Sequence, residues 1–400
     1  MQATGLPTLE EIRGKTAGDV PALLKKAVVL KLNGGLGTGM GLDKAKSLLK
    51  VKGENTFLDF IAQQVEHLRT THGAQIKFML MNSFSTSEDT LALLAERAPA
   101  LRAEEGLELL QNKAPKVDAA TLQPATWPKD PSQEWCPPGH GDLYAALANG
   151  TLDKLLAEGY LYMFVSNSDN LGATLDTDLL TYFAGGNAPF VMEVCERTES
   201  DKKGGHLCLK DGALLLRESA QCAKEDEAAF QVCFDGARAY ACTPEVRHTA
   251  LNLISQDIGK HRYFNTNNLW VKLDALKQLI DSNNGAVPLP LIKNGKTVDP
   301  RDASSPKVWQ LETAMGAAIE CFKGASAVVV PRERFAPVKT CNDLLAVRSD
   351  AYKSRVCRKE ASSRLCDVFV HDGVSAVRVR LVLDASCRHV NCHEPMSLQL

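Results

Sequence analysis

From about residue 27 to 200, short apolar runs alternate with amphipathic ones, the pattern of a parallel sheet covered by helices on both faces. Ala27 to Leu32 reads as a buried strand, and Leu58, Ile61, Ala62, Val65 and Leu68 share one face of a predicted helix. Ile76 to Met81 is the next strand. Asn82 to Ser87 follows as a polar loop with N-cap candidates for a helix running through Leu94. Tyr160 to Val165, Phe190 to Val194 and Ala325 to Val330 predict further strands, and Gln310 to Phe322 predicts a helix. Polar clusters close the strands at Asn82 and at Ser166-Asn-Ser-Asp-Asn170, where ligands of open α/β sheets collect. There is no internal repeat and no low-complexity tract.

The first strand runs into Asn33, Gly34, Gly35, Gly37, Gly39 and Gly41, with Lys44, Lys46 and Lys50 close behind. Glycines let a ligand approach the backbone, whose N–H groups with nearby lysines then suit phosphates. The loop is not a Walker motif, because Ala45 rather than glycine precedes Lys46-Ser47. A dinucleotide fingerprint fails too: three residues after Gly37, Gly39 and Gly41 stand Met40, Leu42 and Lys44.

Composition narrows the partners. The hydrophobic content of 44%, charged content of 24% and formal net charge of -2 are those of an ordinary globular chain with no nucleic-acid partner. The first thirty residues carry Glu10, Glu11, Asp19 and Pro21, without a secretory or transit pattern. No run approaches the roughly 18 apolar residues of a membrane span. A cytoplasmic protein with free thiols is expected. The chain has twelve cysteines, of which Cys233, Cys242, Cys357, Cys366, Cys387 and Cys392 fall in two segments, 232–256 and 353–400.

No G-x-S-x-G elbow and no H-E-x-x-H pair is present, whereas a phosphate loop, an Asn/Asp cluster and isolated lysines fit nucleotidyl transfer. In that chemistry both reacting oxygens belong to the substrates, so catalysis rests on positioning and on Lys and Mg²⁺ charge. Each residue also has a plainer reading. His140 can brace its Pro/Gly loop, Asn167 and Asn267 can form turns, and Lys339 can be a solvated surface charge. Trp135, Trp270 and Trp309 read as packing residues.

The chain resembles the eukaryotic UTP–glucose-1-phosphate uridylyltransferases (UDP-glucose pyrophosphorylases), most of all their trypanosomatid branch. The resemblance rests on Lys31-Leu-Asn-Gly-Gly-Leu-Gly-Thr-Gly-Met-Gly41 with Lys46-Ser47, Leu80-Met-Asn-Ser-Phe84 and Pro137-Pro-Gly-His-Gly-Asp142. Ser166-Asn-Ser-Asp-Asn-Leu-Gly172, Phe264-Asn-Thr-Asn-Asn-Leu-Trp270, Gln310-Leu-Glu312 and Arg334-Phe-Ala-Pro-Val-Lys339 continue it in the family's order.

The resemblance implies an α/β, GT-A-like (Rossmann-type) nucleotidyltransferase core with a mixed, mostly parallel sheet. It also implies a Mg²⁺-dependent reaction of UTP with glucose 1-phosphate that gives UDP-glucose and pyrophosphate. Leu32, Asn33, Gly34 and Gly35 would hold the nucleotide, Gln111 would read the uracil edge, and Gly139 would lie against the base. Lys46 and Lys339 would be the catalytic cations on the reacting phosphates. His140 would contact the sugar phosphate, with Asn167, Ser168 and Asp169 between sugar, nucleotide and metal. Asp169 would be the metal ligand, and Asn265 and Asn267 would orient sugar hydroxyls. A broader UDP-sugar or UDP-N-acetylhexosamine pyrophosphorylase, and an inactive UTP- or UDP-glucose-binding protein, are the alternatives.

The resemblance assigns residues 1–26 to an N-terminal helical segment and 27–352 to the catalytic domain, and two stretches depart from it. Residues 232–256 read as an atypical insertion, either a retained in-frame intron or an ordinary surface loop. Residues 353–400 do not follow the left-handed β-helix domain with which relatives continue, so that domain is expected to be missing, the tail poorly packed and the chain a monomer. Val377 to Leu383 alternates like one strand. Cys387-Arg-His-Val-Asn-Cys-His393 fits no common zinc module.

Overall fold

The computed structural model describes residues 5–37, 40–42, 44–198, 201, 204–210, 212–218, 262–349, 352–356 and 367–371. The 232–256 segment, Val377 to Leu383 and the Cys387–His393 cluster lie outside the described residues.

The first strand, β1 (Ala27–Leu32), is buried at all six positions, as a central parallel strand must be. It is flanked by β2 (Lys77–Asn82) and, on its other side, by a strand that comes much later in the chain. Beyond β2 lies β3 (Glu108–Leu110), and residues Val117–Asp118 form a short β4 in a separate sheet. The strand on the far side of β1 is β5 (Tyr162–Asn167), in register Val28↔Met163 and Leu32↔Asn167. All these main-sheet pairings are parallel, so β1, β2, β3 and β5 end at the same edge.

The rest of the nine-stranded mixed sheet is built on a long strand, β9 (Tyr263–Lys272), antiparallel to β5. β6 (Phe190–Glu196) and the hairpin β7 (His206–Lys210) and β8 (Ala213–Arg217) join through β9. β10 (Leu291–Thr297) and β11 (Lys307–Thr313) pair along their full length and, with β4, form a three-stranded sheet beside the main one. β12 (Ser326–Val329) returns to the main sheet parallel to β6.

Alternation along β1 assigns the two cores. Val28, Leu30 and Leu32 face a cluster with helices α3 (Leu143–Ala148), α4 (Thr151–Ala157) and α6 (Leu273–Ser282). Ala27 and Val29 face the opposite cluster with α1 (Phe57–His72) and α5 (Thr177–Gly185). The short N-terminal helices Leu9–Ile12 and Val20–Leu24 add Leu9, Ile12 and Leu24 to that second face. α2 (Ser87–Arg97) follows β2, and α7 (Cys341–Arg348) is the last helix among the described residues.

One element differs from the expectation. Gln310 to Phe322 is not a helix: β11 occupies 307–313, and a 3₁₀ stretch Met315–Glu320 follows. Antiparallel pairing from Leu291↔Thr313 to Thr297↔Lys307 overrides the local propensity of this segment. From the end of the catalytic domain into the tail expected to be poorly packed, Tyr352–Val356 and Asp367–His371 form an antiparallel pair of strands, and residues 357–366 and 372–400 lie outside the described residues. No helix among the described residues is long and apolar enough to cross a membrane.

Candidate active site

Because β1, β2, β3 and β5 are parallel and in register, the segments leaving them converge at one edge, where they wall a cavity of about 730 Å³. Of the expected site residues, Leu32, Gly34, Gly35, Lys46, Gln111, Gly139, His140, Asn167, Ser168, Asp169 and Lys339 line it. Asn33, Asn265 and Asn267 do not. The Asn33 side chain is spent beneath the loop: Nδ2 donates to Asn82 Oδ1 (2.7 Å) and Thr90 Oγ1 (2.9 Å), and Oδ1 accepts from Ser168 Oγ (3.2 Å). It fixes the glycine loop rather than presenting an amide to a ligand. On β9, Asn265 Nδ2 donates to Asn267 Oδ1 at 2.9 Å, and Asn267 N–H donates to Asn265 Oδ1 at 2.9 Å. Asn267 adopts φ 59° where the pairing of β6 with β9 slips, so the pair shapes a bulge.

Two glycines of the wall are closely approached, and at Gly139 the neighbour is backbone. A Cβ on Gly34 would meet Gln111 Oε1 at 2.5 Å, so the glycine loop and Gln111 are in direct apposition. Gly139 has φ 83°, and a Cβ there would meet the backbone of Thr313 at 2.5 and 2.8 Å. The Gln111 amide is oriented by Gly139, whose carbonyl accepts from Nε2 at 2.6 Å. Its Oε1 is left as the acceptor beside Gly34.

His140 is held by the 3₁₀ stretch after β11: Met315 N–H donates to its Nδ1 at 3.0 Å. A ring nitrogen that accepts carries no proton, so the neutral ring bears its hydrogen on Nε2. Burial, with the Lys339 charge adding to it, pushes the His140 pKa down to about 4. At neutral pH the ring is an uncharged donor.

The charged groups come from distant parts of the sequence. Lys46 Nζ lies 2.8 Å from Asp169 Oδ2 and donates to the Val338 carbonyl at 3.0 Å. The other carboxylate oxygen, Asp169 Oδ1, is buried and has no hydrogen-bond partner among the described residues. Among the described residues no three His, Cys, Asp or Glu side chains cluster. One carboxylate with an unused oxygen fits a Mg²⁺ that takes its remaining ligands from phosphates and water, and poorly fits a metal needing a protein cage. Lys339 is exposed and lies a few residues past the buried Arg334. There Glu193 accepts from Arg334 Nε and Nη2, both at 2.8 Å, and from Trp270 Nε1 at 2.9 Å.

Sequence reasoning missed several residues. Lys31 is 2% exposed and donates to Ser166 Oγ (2.8 Å) and the Ala173 carbonyl (2.6 Å). Burial, and then the Arg334 charge, lower its pKa to about 7, opposed by Glu193 and Asp169. The signal was a lysine inside an apolar strand. Glu218, just past β8, has a carboxyl pushed up by burial and drawn back by Lys339, which marks it as a neighbour of that lysine. Nothing in its local sequence singles it out. Trp270 packs in the core as expected, but Trp135 is 38% exposed and stands in the cavity wall with Lys113 Nζ 4.8 Å above its ring. Cys136, Cys195, Cys208, Cys321 and Cys341 are free.

The chain is similar to known proteins in sequence and in fold. A family model described as UTP–glucose-1-phosphate uridylyltransferase matches residues 3–236 and 240–367. The chain is 42% identical over 333 residues to the Saccharomyces cerevisiae UTP–glucose-1-phosphate uridylyltransferase, covering 82% of this chain and 60% of the relative. It is 40% identical over 336 residues to the Hordeum vulgare enzyme of that name, covering 83% and 63%. The chain thus spans about 60% of the length of the curated relatives it matches. Among solved structures, a UDP-glucose phosphorylase from Trypanosoma brucei superposes with a TM-score of 0.78 at 52% identity, covering 88% of this chain and 71% of that one. The UDP-glucose pyrophosphorylase from Leishmania major superposes with a TM-score of 0.79 at 48% identity, covering 93% and 73%. Variants of the Leishmania major protein have been solved in complex with UDP-glucose.

Proposed function

The chain belongs to the UTP–glucose-1-phosphate uridylyltransferase family, and from that premise we propose that it catalyses Mg²⁺-dependent uridylyl transfer from UTP to glucose 1-phosphate on a GT-A-like core. A phosphate oxygen of glucose 1-phosphate attacks the α-phosphorus of UTP in line. The new O–P bond forms as the bond to the β-phosphate oxygen breaks, and pyrophosphate leaves with that electron pair. Neither substrate needs a base, because the attacking oxygen is already anionic at neutral pH.

The observation that carries the reading is that Lys46, Asp169, His140 and Lys339, from four separate segments, wall one cavity at the strand ends. The glycine loop offers backbone to the nucleotide, and Gln111 Oε1 is an acceptor for the uracil N3–H, where cytosine has no hydrogen to give. His140 donates Nε2–H to an anionic oxygen without competing charge. Lys46 and Lys339 meet charge that grows on the transferred phosphoryl group and on the pyrophosphate. When bound at Asp169, Mg²⁺ would supply further positive charge to the same phosphates.

Pyrophosphate release from UTP, Mg²⁺ and glucose 1-phosphate tests the proposal on this chain, with galactose 1-phosphate and N-acetylglucosamine 1-phosphate as competing acceptors. Turnover with glucose 1-phosphate above both alternatives is expected. UTP binding without pyrophosphate release would overturn it in favour of a binding protein.

A further inference from the structure

We propose that Asn170 is a positioning residue for Lys339, clasping with its side-chain amide the segment that delivers the lysine to the cavity. The inference rests on the reading that Lys339 meets the reacting phosphates.

Past the 3₁₀ turn Arg332–Arg334, Phe335 to Lys339 belongs to no helix or strand. Its backbone groups therefore find partners outside any ladder of their own. Asn170, 1% exposed, supplies two of them: Nδ2 donates to the Arg334 carbonyl at 3.0 Å, and Oδ1 accepts from Ala336 N–H at 3.1 Å. Both ends of one amide are used on residues two apart, as a peptide group of a neighbouring strand would use them. The Asp169 carbonyl continues the pattern by accepting from Val338 N–H at 3.2 Å. Alternate residues 334, 336 and 338 are thereby fastened to one turn, and Lys339 comes next. A Cβ on Gly172 would run into the Glu333 carbonyl oxygen, so the segment lies flush on that turn.

The same turn presents the Asp169 carboxylate to the cavity, so Asn170 registers two groups of the site against each other. Loss of the clasp would not undock the whole segment. Arg334 keeps its ion pair with Glu193, and its carbonyl keeps a longer bond from Asn268 Nδ2 at 3.4 Å. Among the described residues Ala336 N–H has no second partner of that kind, so slack would appear between the anchor at Arg334 and Lys339. A shift of about 1 Å at a reacting group costs on the order of 10²-fold in rate.

Asn170→Ala and Asn170→Asp in the full chain test this, alone and combined with Lys339→Ala. Readouts are kcat, the two KM values and the thermal midpoint. Asn170→Ala should lower kcat by about 10-fold or more while the KM for UTP moves far less. Asn170→Asp, which keeps the acceptor for Ala336 but lacks the donor for Arg334, should fall between. In the Lys339→Ala background neither change should lower kcat further, because both act through the lysine. An unchanged kcat, or a loss that persists in full without Lys339, overturns the inference. If Asn170→Ala does not fold, the isosteric Asn170→Asp carries the same cycle. If the parent releases no pyrophosphate, or Lys339→Ala leaves kcat unchanged, the functional reading fails and the inference falls with it.

Discussion

Lys46 Nζ stands 2.8 Å from Asp169 Oδ2 and within 3.0 Å of the Val338 carbonyl, so one ammonium ties the glycine-loop side of the cavity to the turn after β5 and to the segment bearing Lys339. The pair is largely buried, with side-chain exposures of 19% and 13%. It is therefore both a piece of the fold and a piece of the site.

Lys46→Ala should lower turnover by about 10²-fold, the scale of losing one preorganised electrostatic contact. It should also cost about 1–3 kcal/mol of stability, since the Asp169 carboxylate would then have neither oxygen partnered. Lys339→Ala should match it in turnover but change stability by only about 0.5 kcal/mol, because Lys339 is exposed. Urea unfolding beside steady-state kinetics separates the two; equal stability losses would contradict the geometry.

The folded-state pKa of His140, about 4, lies below its ordinary value of 6.5. Between those values the unfolded chain binds a proton there that the folded chain does not, so stability rises with pH across the window. The contribution is complete above pH 6.5 and is lost as the pH falls towards 4. His140→Gln should flatten this part of the stability curve, and urea midpoints at pH 5 and 7 for both proteins measure it. An unaltered slope would show that the ring titrates normally.

Gly139→Ala puts a methyl where Thr313 N and O stand, at a φ of 83° that side chains rarely adopt. The loop must separate from β11, which carries with it the chain that orients His140 through Met315. A lower thermal midpoint and a raised KM for both substrates are expected. Wild-type kinetics would mean that the loop is not held against Thr313.

Glu193→Gln removes the charge from a carboxylate that is wholly buried and bonded to Arg334, Trp270 and Asn268. Breaking one half of such a pair costs about 3–5 kcal/mol, because the guanidinium is left charged and unpaired in the interior. Chemical denaturation gives the number directly, and a cost below about 1 kcal/mol would mean that water reaches Arg334.

Ala27 to Leu32, Lys77 to Asn82 and the α1 helix were legible because periodicity and burial act over a few neighbouring residues. The segment after Gln310 was misread for the complementary reason: its strand exists through pairing with Leu291 to Thr297, which local pattern does not carry. The same limit applies to Asn33, whose side chain is consumed by Asn82, Thr90 and Ser168. It applies to Trp135, which sits in a cavity wall rather than a core, and to Lys31, whose neighbours come from two other segments.

By itself, the sequence determined an α/β chain whose glycine loop ends a buried strand, and a set of motifs whose order identifies a family. Only the tertiary structure decided which of those residues share a cavity, which nitrogen of His140 keeps its proton, and what holds Lys339 beside Lys46. Those are properties of distances between segments far apart in the chain. Parallel strand register and buried hydrogen bonds set them, and neither is written in any one stretch.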